Sequence, residues 1–260
     1  MRSRSTRPNF SVAVPSTDTA GSLTHEAPVG RSSGTQATAV GTLNHDESEP
    51  FLHVASLGLL CMTARLIERA GLRTYALPFD WIASTPRTIM HCLDDRFRDL
   101  LDKKNYVPLE SEYGWKNTIF ENLYGIGKTF GHHDIHSAVE YRHIEMSVER
   151  FLALLESRER KMFVITHDDF SHPHFADLFD AIMKKTANAR IVAIETKSCS
   201  APPDRRRAEM VGSAGTTDFY ELWTSSEPNG ECFADDEDNA LFFSILRNYN
   251  FRLAATPLKA

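Results

Sequence analysis

The sequence predicts an α/β fold: a single three-layer domain with a mostly parallel sheet and helices on both faces, preceded by a disordered N-terminal tail. Three observations carry that reading. Apolar runs such as "MFVI" at 162–165 and "ARIVAIE" at 189–195 lack strict alternation, which is how strands buried on both faces read. Each run follows an amphipathic helical stretch, so strand and helix alternate along the chain. The aromatic and large aliphatic residues are concentrated after residue 50. Residues 1–50 hold 15 Ser or Thr, four Gly and four Pro but only one aromatic, Phe10, and neither Ile nor Lys. Such a segment buries too little apolar surface to offset chain entropy, so 1–50 is expected to be disordered and 51–260 to be one α/β domain.

The elements follow in order. Phe51 to Leu57 reads as a buried strand. Leu59, Met62, Leu66 and Ala70 then share one helical stripe that ends at Gly71, a natural helix stop. "TPRTIMHCLDDRFRDLL" at 85–101 has helical periodicity with Pro86 in its first turn. Residues 105–145, aromatic and rich in Gly and His, are expected to add irregular structure beside the sheet. Val148, Phe151, Leu152 and Leu155 mark a helix before the strand at 162–165. Phe175, Leu178, Phe179, Ile182 and Met183 mark another before the strand at 189–195. "TDFYELW" at 217–223 is a further strand candidate, "DNALFFSILRNY" at 238–249 a helix, and "FRLA" at 251–254 a segment that closes the sheet.

Composition narrows the function classes. A formal net charge of -6 and the lack of a basic stripe interleaved with aromatics argue against nucleic-acid binding. "DRRR" at 204–207, between Pro202-Pro203 and the Gly-containing "GSAGT", reads as a solvated loop. No run approaches the roughly 18 apolar residues of a membrane span, and Arg2, Arg4 and Arg7 precede no apolar signal core. A reducing compartment is expected, and Cys61, Cys92, Cys199 and Cys232 form no CxxC pair. The Ser/Thr-rich, Lys-free leader also resembles the leaders of effectors that bacteria inject into host cells by a non-Sec route.

Cys61 is the candidate nucleophile. It falls where the first strand feeds a helix N-terminus, and in open parallel sheets sites form at strand carboxyl ends. At 100° per residue it aligns with Arg65 and Glu68, away from the buried stripe. The positive end of a helix dipole favours a thiolate there, and unpaired N–H groups near Leu60 and Cys61 suit an oxyanion. A thiol nucleophile needs a base, and two histidine groups offer one. "FGHHDIH" contains His132, His133 and Asp134; "THDDFSHPH" contains His167 and Asp168 at the end of another strand. Neither reproduces HExxH, and no metal or cofactor is expected. His91 and His143, on helical segments, read as surface residues.

These residues carry a resemblance. "SLGLLCMTARLIERAGLRTYALPFDWIAS" is similar to the signature of the DUF1796 family of papain-like cysteine peptidases: Ser56, Leu57, Gly58 and Cys61, then Arg73, then Pro78, Phe79, Asp80 and Trp81. Phe130, His132, His133 and Asp134 match a further segment of that pattern, and Arg150, Phe151, Leu154 and Leu155 a helix before an apolar strand. The resemblance spans 51 to about 166 and implies a thiol peptidase with the order Cys, then His. A papain fold, however, pairs a helical half with an antiparallel barrel, whereas residues 147–253 alternate helix and strand. Asp80, between two aromatics, reads first as a loop clamp and second as an orienting acid.

The leading expectation is a cysteine-nucleophile hydrolase or acyl transferase acting on a protein or a small acyl substrate. Cys61 would attack, His133 would be general base, and Asp134 or Asp80 would orient it; His132, His167 and Asp168 are the reserves. Two other classes fit the residues. One is a Rossmann-type nucleotide-sugar-binding or glycosyl-transfer domain, although GxGxxG and GK[ST] are absent. The other is a non-catalytic injected effector that binds a host protein.

Overall fold

A computed structural model describes residues 49–58, 61–110, 113–199, 205–256 and 258. The tail expected at 1–50 therefore lies, up to residue 48, outside the described residues. So do Leu59 and the oxyanion candidate Leu60.

The fold is α/β with a five-stranded sheet of order β1-β4-β5-β7-β6. Its parallel strands are β1 (His53–Ser56), β4 (Lys161–His167), β5 (Ala189–Ser198) and β7 (Thr217–Thr224). Strand β6 (Arg207–Ala214) closes the far edge antiparallel to β7. On the near edge, Phe251 bridges Phe51, so the "FRLA" segment lies beside β1.

Side-chain alternation along the central strands builds two cores. Phe163, Ile165, Ile191 and Ala193 point into one, where they meet α2 (Pro86–Asp94), α5 (Ala138–Glu156) and α6 (His174–Lys185). Met162, Val164, Val192 and Ile194 point into the other, against α1 (Met62–Arg69) and α7 (Asp236–Leu246). Both faces are thus covered, which is why these strands read as continuous apolar runs.

Three details depart from the sequence reading. The stretch 85–101 is not one helix. Arg96 and Phe97 adopt φ of 55° and 62°, which breaks it into α2 and a short α3 (Arg98–Leu101). The buried Phe97 ring is held by Phe79 and Phe151, at centroid distances of 5.5 and 5.7 Å, so tertiary packing overrides helical periodicity. Residues 105–145 hold a two-stranded antiparallel sheet, β2 (Tyr106–Pro108) with β3 (Trp115–Asn117), then α4 (Thr118–Tyr124) and the start of α5. Finally, Arg207, read as part of a solvated loop, opens β6, which runs on through "GSA" at 212–214. An edge strand with mostly exposed side chains has no apolar pattern to betray it. Arg206, read as solvated, is engaged by the carboxylates of Asp235, Glu237 and Asp238.

The strand order has a consequence for site location. The steps β1 to β4, β4 to β5 and β5 to β7 all advance in one direction, so the parallel sheet has no reversal of strand order. The crevice that such a reversal creates in dinucleotide-binding folds is missing from this sheet.

Candidate active site

Residues 56–58 and 77–84 are packed together just before α1. Gly58 has φ of +71°, and a Cβ there would lie 2.6 Å from the Phe79 carbonyl oxygen, so only glycine fits the close approach. The Ser56 hydroxyl accepts the Gly58 N–H at 3.0 Å. Across the contact, the buried Asp80 carboxylate accepts the Leu77 N–H at 2.9 Å and Arg73 Nε at 3.0 Å. The SLG and PFD segments are two sides of one joint. Desolvation raises the Asp80 pKa to about 6 even though Arg73 favours its charged form.

From this joint Cys61 stands at the N-cap of α1, half-buried. It lines a cavity of about 650 Å³ together with Arg65, Trp81, His132, His133 and His143. Leu77, Pro78, Phe130 and Ile144 make the walls mostly apolar, while Arg65 and Arg150 add positive charge and Glu231 a carboxylate. The Arg150 Nη1 donates to the Ala76 carbonyl at 3.3 Å and so ties α5 to the segment just before the PFD turn.

Trp81 connects the walls. The Arg65 and Arg73 guanidinium carbons each lie 4.9 Å from its ring centroid, and His133 meets it edge-on at 6.1 Å. Arg65 is one helical turn beyond Cys61. Its Nε is buried with no hydrogen-bond partner among the described residues. The Glu68 carboxylate raises the Arg65 pKa, which keeps this residue cationic.

The carboxylate at His133 is Glu140, whose Oε2 lies 3.3 Å from Nδ1 and also accepts the Asp134 N–H at 2.7 Å. The Asp134 carboxylate instead accepts the His136 N–H two residues on, at 2.9 Å. Asp80 faces Arg73 and Leu77 rather than an imidazole. His167 Nδ1 is occupied by the backbone of Asp169, and Asp168 is largely exposed; neither lines the cavity. Among the described residues the hydrogen-bond partner of the Cys61 thiol is the Gly230 carbonyl, at 3.2 Å, and not an imidazole.

Sequence reasoning left Trp81, His143, Arg150 and Glu231 of the cavity wall out of the chemistry, and with them Glu140, the carboxylate at His133. Trp81 stands in the sequence only as the end of a family pattern, and His143 as a surface residue. Glu140 lies in the first turn of α5, seven residues from His133, a spacing that carries no motif.

Fold and cavity together define a class: a mostly parallel α/β domain with a cysteine at the first helix N-terminus and, on the same cavity, an imidazole that meets a carboxylate from α5. The family DUF1796, described as "putative papain-like cysteine peptidase", matches residues 52–196, and the chain belongs to that family. No curated protein and no solved structure matches it. The mostly parallel sheet differs from the helix-plus-barrel architecture that "papain-like" would imply.

Proposed function

We propose that the chain is a cysteine-nucleophile acyl-transfer enzyme, a hydrolase or transferase, with Cys61 as nucleophile and His133 as its base. One observation carries this reading: Cys61, at a helix N-terminus, and His133 line one cavity, and His133 Nδ1 lies 3.3 Å from the Glu140 carboxylate. With Nδ1–H donated to Glu140, His133 presents Nε2 as the proton acceptor. Rotation of Cys61 away from the Gly230 carbonyl passes its proton to Nε2, and Sγ attacks the carbonyl carbon of an amide, ester or thioester. The N–H groups of the first turn of α1 hold the oxyanion, since helix-start N–H groups lack intrahelical partners. The protonated imidazole then gives its proton to the leaving amine, alcohol or thiol. Water, deprotonated by His133, releases the acyl group and restores the thiol; an acceptor amine does the same in transfer. Apolar walls flanked by Arg65 and Arg150 favour an acyl group that carries a carboxylate.

The test uses the full chain with p-nitrophenyl esters and an acyl thioester as probes. Cys61→Ala is expected to abolish turnover and the dominant iodoacetamide adduct, with circular dichroism unchanged. His133→Ala should lower kcat by roughly 10²- to 10⁴-fold. An active Cys61→Ala protein would sink the reading.

A further inference from the structure

A second cluster of donor side chains shares no residue with the cavity lining. We infer that His91, Asp95 and Asp99 bind one divalent transition-metal ion. Their donor atoms all lie within 4.8 Å of one another. His91 Nε2 is 2.8 Å from Asp99 Oδ2 and 3.5 Å from Asp95 Oδ2. A metal at about 2.0 to 2.2 Å from each ligand places neighbouring donors about 3 to 3.5 Å apart, so these separations need little adjustment.

The independent observation is Asp95 itself. Its side chain is 10 % exposed, and its Oδ1 is enclosed with no hydrogen-bond partner among the described residues. Oδ2 is fixed by the Asp99 N–H at 2.8 Å, so the carboxylate cannot turn without giving up that bond. Pairing His91 with Asp99 alone leaves Asp95 Oδ1 unsatisfied, which is costly for a buried polar atom. Arg98 approaches Asp99 at 3.9 Å, and its side chain is 79 % exposed. A cation held by His91 Nε2, Asp99 Oδ2 and both oxygens of Asp95 supplies the partner that Oδ1 lacks.

The imidazole is also held as a ligand would be. The Tyr124 hydroxyl lies 2.8 Å from His91 Nδ1, and Phe120 and Tyr124 flank the ring edge-on at 5.5 and 5.7 Å. With the Nδ1 proton given to the phenol oxygen, Nε2 offers its lone pair inward. One imidazole with two carboxylates suits zinc or manganese over magnesium or calcium. The left-handed turn at Arg96 and Phe97 creates the site, because it folds Asp99 back toward His91.

The experiment is calorimetric titration of the chelator-treated full chain carrying Cys61→Ala, which removes thiol–imidazole chelation at the cavity. Zinc chloride and manganese chloride are each expected to bind at one equivalent, and magnesium chloride not to bind. Asp95→Asn and His91→Gln should each weaken zinc binding at least about tenfold, and Tyr124→Phe about tenfold. Asp94→Asn, whose carboxylate pairs with Lys185, should bind as the parent does. If a variant fails to fold, cobalt substitution in the parent decides: visible bands growing to one equivalent support the site, and their absence overturns it. A parent that takes up no zinc, or folded Asp95→Asn and Tyr124→Phe variants that bind as tightly as the parent, would also overturn it.

Discussion

Asp80 shows how a single buried group can make stability depend on pH. Its folded pKa, near 6, lies above the ordinary carboxylate value because desolvation outweighs Arg73. The folded state therefore holds the proton more tightly than the unfolded state does. The contribution is fully present below about pH 4 and is lost as pH rises through about 6, worth roughly 1 to 3 kcal/mol. Urea titrations of wild type and Asp80→Asn at pH 4.5 and 7.5 are expected to show wild type losing stability relative to the variant by that amount. Parallel profiles would contradict the assignment. Gly58, by contrast, is a steric requirement with no titration, and its role was visible in the sequence only as part of a pattern. The contact with the Phe79 carbonyl that explains it bridges 21 positions of chain.

Among the elements, α5 ties the cavity to the core. Its outer turns carry His143, Ser147 and Arg150 on the cavity wall, while Phe151 is fully buried. The Phe151 ring packs at 5.3 Å on Phe79, 5.7 Å on Phe97 and 6.1 Å on Phe163, which come from the PFD joint, the α2–α3 break and β4. Phe151→Ala should cost about 3 to 5 kcal/mol and loosen the joint that positions Cys61. Thermal unfolding measures the first effect, and a slower iodoacetamide reaction at Cys61 the second. How much of this was legible differs by element. The helices ending at Glu156 and Lys185 and their following strands were plain, because amphipathic period and apolar runs report burial directly. Strand β6 was not, because an exposed edge carries neither signal. The split of α2 from α3 was hidden for another reason: Phe97 is pulled into left-handed backbone by its aromatic neighbours, and no local residue announces it. Of the site, the positions of Cys61 and His133 could be read from strand ends and histidine grouping. The pairing of His133 with Glu140 depends on how α5 docks and could not.

At the scale of the molecule, one sheet serves two cores. Phe163 and Val164 are neighbours on β4 and are both fully buried, yet they face opposite layers. Losing β4 dismantles both layers at once, so calorimetry of the full chain is expected to show a single main transition. Phe163→Ala and Val164→Ala should lower that one midpoint rather than split it. Two separable transitions would show that the layers fold independently.

The turn that holds the thiol proton has a different standing from the rest of the cavity. Cys61, Trp81, His133, Glu140 and Arg150 fall within the span matched by the family, 52–196, whereas Gly230 and Glu231 lie beyond it. The part of the chain that the family matches thus carries the proposed nucleophile and base, and the turn that holds the thiol comes from beyond it. Replacing the Gly230 turn would therefore change what lies against the sulfur without touching any residue within the matched span.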